Sequence, residues 1–317
     1  MTSRVVVLTG GSSGIGRAAA LAFAARGDRL VLSARGRPDL DAVAGQCRAA
    51  GAETIVVPAD VSQADQIAEL ADAAVERFGR IDVWVDTAAV MAYGRFEDLP
   101  AHVFDQTVTT DVLGTANVAR AALREFRRQE AGILILCGSL LGGITAPYMS
   151  AYVTSKWAHR GLARVLQHET RDAPDIHVCL LSPGSVDTPI YTSAANYAGF
   201  VGRPPPPVDP PERMAAAIVR LVDHPRAKVS VGLTNNVIRF GYAAMPPVYD
   251  ILIGPMMRRL ALSRTPAPPH TGNIFESRPR IEGGPGRWGR AAVVGAGTTA
   301  AALVAGAATL AVRRTRR

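Results

Sequence analysis

Cysteine is scarce: the 317 residues hold three, Cys47, Cys137 and Cys179. None stands in a C-x-x-C spacing. No zinc site, metal site or disulfide framework is therefore expected, and a reducing compartment is the simplest setting. Net charge is missing from most of the chain as well. The formal total is +8, but from Arg258 onward there are 11 Arg, no Lys and only Glu276 and Glu282. That segment carries +9 and residues 1–257 carry −1. A general nucleic-acid surface on the main body is excluded on that ground. An apolar leader is also lacking. "MTSR" runs directly into "VVVLTG", which reads as a strand with no cleavage site behind it, so no signal peptide is expected.

What is present is enough apolar residue, 48%, for a sizeable core. Short apolar runs at 5–9, 29–34, 54–60, 81–88, 132–139 and 176–184 alternate with helical patterns at 16–27, 39–51, 63–79, 103–129 and 151–171. Strands that are apolar on both faces belong to a parallel sheet covered on both sides. The expected fold is a doubly wound α/β parallel sheet of the Rossmann type. In such sheets ligands bind at the carboxyl ends of the strands. One catalytic domain is expected over 1–262, followed by a Pro/Gly/Arg-rich linker over 263–290. Residues 291–312 form a charge-free run of 22, and 313–317 a basic tail. As a helix that run would be about 33 Å long, enough to cross a bilayer core. A single C-terminal transmembrane helix is therefore expected, with membrane association and a cytoplasmic catalytic domain. A partner-binding tail is the alternative. Four Arg on each side of the run leave its orientation undetermined.

Between the first strand and first helix lies "TGGSSGIG", residues 9–16. Gly10, Gly14 and Gly16 permit a tight turn and a close backbone approach. The helix start at Ser12, Ser13 and Ile15 offers free N–H groups to a phosphate. Further on, "YVTSK" puts Tyr152 and Lys156 one helical turn apart on one face. Ser139 precedes the tyrosine by thirteen residues, in "CGSLLGG".

In this order, the T-G-x-x-x-G-x-G turn, Asp60-Val61, "CGSLLGG", "YVTSK" and "SPGSVDTPI" resemble the short-chain dehydrogenase/reductase family over residues 4 to about 235. The resemblance implies hydride transfer between a nicotinamide and a carbonyl or alcohol. It implies coenzyme contacts from the glycine turn, from Asp60 and Val61 at the adenine, and from Ala88, Pro183, Gly184, Val186 and Thr188 along the rest of the cleft. Tyr152 would be the acid in reduction and the base in oxidation. Lys156 would tune the phenol electrostatically and hold the nicotinamide ribose, and Ser139 would position the substrate oxygen. The family also leads to the expectation of a homodimer or homotetramer through helices 103–129 and 151–171.

Two positions depart from the family pattern. "DTAA" (86–89) replaces N-N-A-G, and Asp111 stands where the family carries the asparagine of its proton relay. A carboxylate accepts but does not donate, and its charge opposes a low tyrosine pKa. Retained activity, with Asp111 in the relay, is the favoured expectation. A catalytically weakened dinucleotide-binding regulator or sensor is the alternative. After the second strand comes Ala34, where an acid would favour NAD, and then Arg35, able to pair with a 2′-phosphate. NADP(H) is therefore expected over NAD(H), with Arg37 assisting and Arg17 a weaker candidate. The apolar stretches 190–207 and 237–257 point to a small lipophilic substrate.

Overall fold

The structure, a computed structural model, describes residues 3–232 and 234–277. Its centre is a seven-stranded parallel sheet. The strands in chain order are β1 (Val5–Thr9), β2 (Arg29–Ser33), β3 (Thr54–Val56), β4 (Val83–Asp86), β5 (Gly132–Cys137), β6 (Ile176–Pro183) and β7 (Lys228–Val231). Their spatial order is β7-β6-β5-β4-β1-β2-β3, so the order reverses beside β1. At such a reversal the flanking connections leave to opposite faces and open a crevice at the strands' carboxyl ends. β1 is buried along all five residues and β4 along all four, as strands must be when helices cover both faces.

Two apolar layers follow from that sandwich. One joins Val5, Val7 and Trp84 to Ile67, Leu70, Val118 and Phe126. The other joins Val6, Leu8 and Val85 to Phe23, Leu40, Ile218 and Leu221. The covering helices are α1 (Gly14–Ala24), α2 (Arg37–Ala49), α3 (Ala64–Phe78), α4 (Ala101–Val108), α5 (Gly114–Gln129), α6 (Ser150–Glu169) and α7 (Pro211–Asp223). The path expected as one helix from 103 to 129 contains a π-turn, Thr109–Leu113, between α4 and α5. Just past it Gly114 lies against Val61, where a Cβ would fall 2.6 Å from Val61 Cγ2. Such π-turns shift every later side chain around the helix axis and are common at functional sites.

The apolar stretch 237–257 forms two short helices, α8 (Asn235–Ala244) and α9 (Pro246–Met256). The folded body does not stop at 262. Leu262–Pro266 is a strand paired antiparallel with Phe200–Gly202, and the chain then packs on to Ser277. The first half of the expected linker is thus part of the fold.

The membrane placement drawn from the sequence is corrected here. No helix among the described residues is long and apolar enough to cross a membrane. The longest, α6, has 20 residues but carries Lys156, Arg160 and Arg164. Residues 291–312 lie outside the described residues.

Candidate active site

The glycine turn sits at the carboxyl end of β1. Gly10 has φ +76° and Gly14 φ +50°, in the left-handed region that favours glycine. A Cβ on Gly16 would fall 2.2 Å from the Gly10 carbonyl oxygen, so the turn closes only without side chains. Helix α1 starts with no side-chain cap at Ser13 and no acid in its first turn. Its leading N–H groups and positive dipole end therefore face the cleft. Gly10, Ser12, Ser13, Gly14, Ile15, Gly16, Arg35, Asp60, Val61, Ala88 and Thr188 all line one cleft. This cradle fits the diphosphate of a dinucleotide. Pro183 and Gly184 at the end of β6, and Val186 beyond, are not among its walls. Gly184 instead lets the backbone approach Asn235, whose Oδ1 a Cβ would meet at 2.7 Å.

Arg35 reaches the cleft but is anchored. Its two terminal nitrogens donate to the carbonyls of Ile274 at 3.0 Å and Asn273 at 2.6 Å. Arg37 instead pairs with Asp41 at 3.5 Å, and Arg17 donates to Gln46 at 2.8 Å.

Past the carboxyl end of β5, and outside the walls of that cleft, Ser139, Tyr152 and Lys156 come together. Ser139 caps a short 3₁₀ turn, Leu140–Gly142, its Oγ accepting from the Leu141 N–H at 3.1 Å. That leaves the hydroxyl proton for the Tyr152 phenol, and this bond favours phenolate. Lys156 is 2% exposed, and its ammonium lies 5.3 Å from the Tyr152 ring centroid and donates to the Cys137 carbonyl at 3.3 Å. The 3₁₀ turn approaches α6 because Gly142 has no Cβ. One would fall 2.5 Å from the Lys156 carbonyl oxygen. Burial pushes the Tyr152 phenol up from its ordinary value, and the Asp111 carboxyl adds to the rise. The phenol is therefore protonated at neutral pH.

Behind these three lies a buried polar chain. Asp86 accepts from Thr9 Oγ1 at 2.8 Å and Thr115 Oγ1 at 2.9 Å. Burial raises its pKa, while those bonds and Lys156 work against the rise. His159 Nε2 is 2.8 Å from Thr115 Oγ1 and also contacts the Asp111 carbonyl, which lies within the π-turn. Because the Thr115 proton goes to Asp86, the imidazole donates from Nε2. Burial first, and Lys156 second, push His159 down to about 3, so it is neutral. Asp111 is fully buried. Its Oδ1 accepts from the Val90 N–H at 2.8 Å, and its Oδ2 has no hydrogen-bond partner. Burial pushes its pKa up to about 7 against the pull of Lys156. The sequence singles out both aspartates but not Thr115 or His159. Their only signal is polarity on helix faces that otherwise read as buried.

A family model for short chain dehydrogenases matches residues 4–197. An uncharacterized oxidoreductase of Bacillus subtilis, YxnA, is 30% identical over 85% of this chain and 76% of its own. An alcohol dehydrogenase from the archaeon Thermococcus sibiricus, solved with 5-hydroxy-NADP, superposes with TM-score 0.64 at 31% identity. It covers 73% of this chain and 96% of that one. A short-chain dehydrogenase/reductase from Burkholderia phymatum, solved with NAD, gives TM-score 0.65 at 28% identity, covering 72% and 88%. The chain belongs to the short-chain dehydrogenase/reductase family and is an oxidoreductase of that family.

Proposed function

We propose that this oxidoreductase uses NADP(H) and interconverts a carbonyl and an alcohol on a lipophilic substrate, with Tyr152 as its acid and base. The observation that carries the reading is the convergence of Ser139, Tyr152 and the buried Lys156 at the carboxyl end of β5. When bound, the coenzyme supplies or accepts the hydride. The glycine turn and the start of α1 would hold its phosphates, Asp60 and Val61 its adenosine end, and Lys156 its nicotinamide ribose.

Each protein group then has a task set by its surroundings. The protonated phenol of Tyr152 donates to an oxygen that gains negative charge during reduction. The Ser139 hydroxyl holds that oxygen in line and stabilises the developing charge. The Lys156 ammonium stabilises the phenolate left behind. Asp111, with its pKa pushed up to about 7, is coupled to Lys156 and Tyr152 through its charge, so its protonation state bears on the phenol.

The substrate class follows from what surrounds the phenol. Tyr152 packs against an apolar cluster that includes Met149 and Met257 and is also covered by Leu141, Tyr148, Tyr191 and Ile253, drawn from four separate parts of the chain. The two stretches expected to line the pocket, 190–207 and 237–257, both contribute to it. Such a wall favours lipophilic ketones and aldehydes. The test is NADPH oxidation by the full chain on a panel of those compounds. Substrate-dependent turnover that disappears in Tyr152→Phe supports the reading. Equal turnover by Tyr152→Phe overturns the assignment of the acid.

A further inference from the structure

The last described stretch, 270–277, borders the cleft on the side of Arg35 and Asp60. His270 and Asn196 exchange backbone hydrogen bonds at 3.0 and 2.8 Å. Gly272, at φ +56°, passes so close to Ala194 that a Cβ would lie 2.4 Å from its carbonyl carbon. The Asn273 N–H donates to the Ser193 carbonyl at 2.9 Å. Ile274 is fully buried among Val90, Val103 and Ala195. Phe275 stacks on His102 with ring centroids 5.7 Å apart. The segment is thus fastened at each step.

From that anchorage it meets the β2–α2 turn. The Asn273 and Ile274 carbonyls accept from Arg35, and Ser277 lies over Gly36, where a Cβ would meet Ser277 Oγ at 3.1 Å. Asn273 and Ser277 face the same cleft as Ser13 and Gly14. A guanidinium has five N–H donors in a fixed fork. The two strap carbonyls use two of them and fix the plane of the fork. Three donors are left for another acceptor, and Ser277 lines the same cleft as Arg35. Asp39 and Asp60 line the cleft as well, so the site is not a general anion trap. An anion gains there only if it is placed against Arg35 and Ser277.

We propose that residues 270–277 are a wall of the coenzyme site, and that Ser277 together with the strap-oriented Arg35 binds the 2′-phosphate of NADP(H). This rests on the NADP(H) reading above and extends it to a segment outside the matched family region of residues 4–197. Arg35 is the charge. The strap decides which way it points, and Ser277 supplies a hydrogen bond that an NAD(H) ribose hydroxyl does not exploit to the same degree.

The test measures dissociation constants of NADPH, NADH and 2′,5′-ADP for the full chain and its Ser277→Ala, Ser277→Asp and Arg35→Ala variants, with a thermal melt of each. The expected result is NADPH binding weakened about tenfold by Ser277→Ala, the size of one hydrogen bond to a charged group. Ser277→Asp, placing a like charge beside the phosphate, weakens NADPH further. 2′,5′-ADP follows NADPH, and NADH stays within about twofold in both. Unchanged NADPH affinity in both Ser277 variants overturns the strap's role. If Arg35→Ala still loses NADPH, the coenzyme reading survives that failure. Parallel loss of NADH also overturns the proposal, because it marks Ser277 as merely structural. A wild-type chain that binds NADH as tightly as NADPH overturns the coenzyme reading itself.

Discussion

The Val90 N–H donates to Asp111 Oδ1 at 2.8 Å, the hydrogen bond that holds a carboxyl group otherwise sealed from water. With Oδ2 unpartnered, desolvation dominates and the pKa rises to about 7. A carboxyl raised on folding binds its proton more tightly in the folded state. Its contribution is present in full below the unfolded value near 4 and is lost as pH rises through about 7. The wild-type chain should therefore be less stable at pH 8 than at pH 5, by about 3 kcal/mol from this group, since about two pH units of its titration lie in that range. Asp111→Asn keeps an oxygen for Val90 and removes the titration, so its melting temperature should change less between those pH values. Turnover should be kept or raised. Complete loss of turnover in a folded Asp111→Asn chain would assign the carboxylate a direct part in proton transfer.

His159 should shape the acid side. Its pKa is depressed on folding to about 3, so its contribution is present above about 6.5 and is lost as pH falls toward 3. Between pH 4 and 6.5 this slope opposes that of Asp111, and single variants separate the two. His159→Gln should lose about 1–3 kcal/mol at pH 7, from the bonds to Thr115 and the Asp111 carbonyl. It should then show a shallower loss on acidification, measured by denaturant titration at each pH. An unchanged acid slope would place the responsible titration elsewhere.

Tyr152→Phe should lower turnover by about 10²–10⁴-fold, the usual worth of a positioned acid. NADPH affinity should change little, since the glycine cradle is untouched. Stopped-flow turnover beside equilibrium binding separates the effects.

Gly16→Ala places a methyl group 2.2 Å from the Gly10 carbonyl oxygen, a backbone atom that cannot swing aside. The cost should be about 1–3 kcal/mol of stability, as for other overpacked sites. Dinucleotide binding should fail, because the turn must open to admit the methyl group. Gly45→Ala, in the exposed middle of α2 with no atom within 4 Å of its Cβ position, should be neutral or stabilising, which makes it the control for helix propensity.

Much of this was legible in the chain itself because it is local. Apolar runs such as Val5–Leu8 and Val83–Val85 can only be buried strands, and alternation with amphipathic helices leaves few ways to cover both faces. Thr9–Gly16 encodes its own turn through glycines that need left-handed backbone or a missing Cβ. Tyr152 and Lys156 share a face because four residues make about one helical turn.

What the tertiary structure decided rests on contacts between residues far apart in sequence. The Asp111 carbonyl, within the π-turn at Thr109–Leu113, meets His159, 48 residues on, and no helical periodicity announces it. The stretch 263–277 reads as a proline-rich linker because its stability does not come from its own pattern. It is held by Asn196, Ser193 and the buried pocket around Ile274. Arg35 alone could be a solvated cation. It becomes an oriented fork because carbonyls 238 and 239 residues away accept from it. Sequence fixes the backbone conformations that depend on neighbouring residues. Burial, which strips water from Asp111 and His159 and leaves Arg35 its particular partners, exists only once the chain has closed on itself.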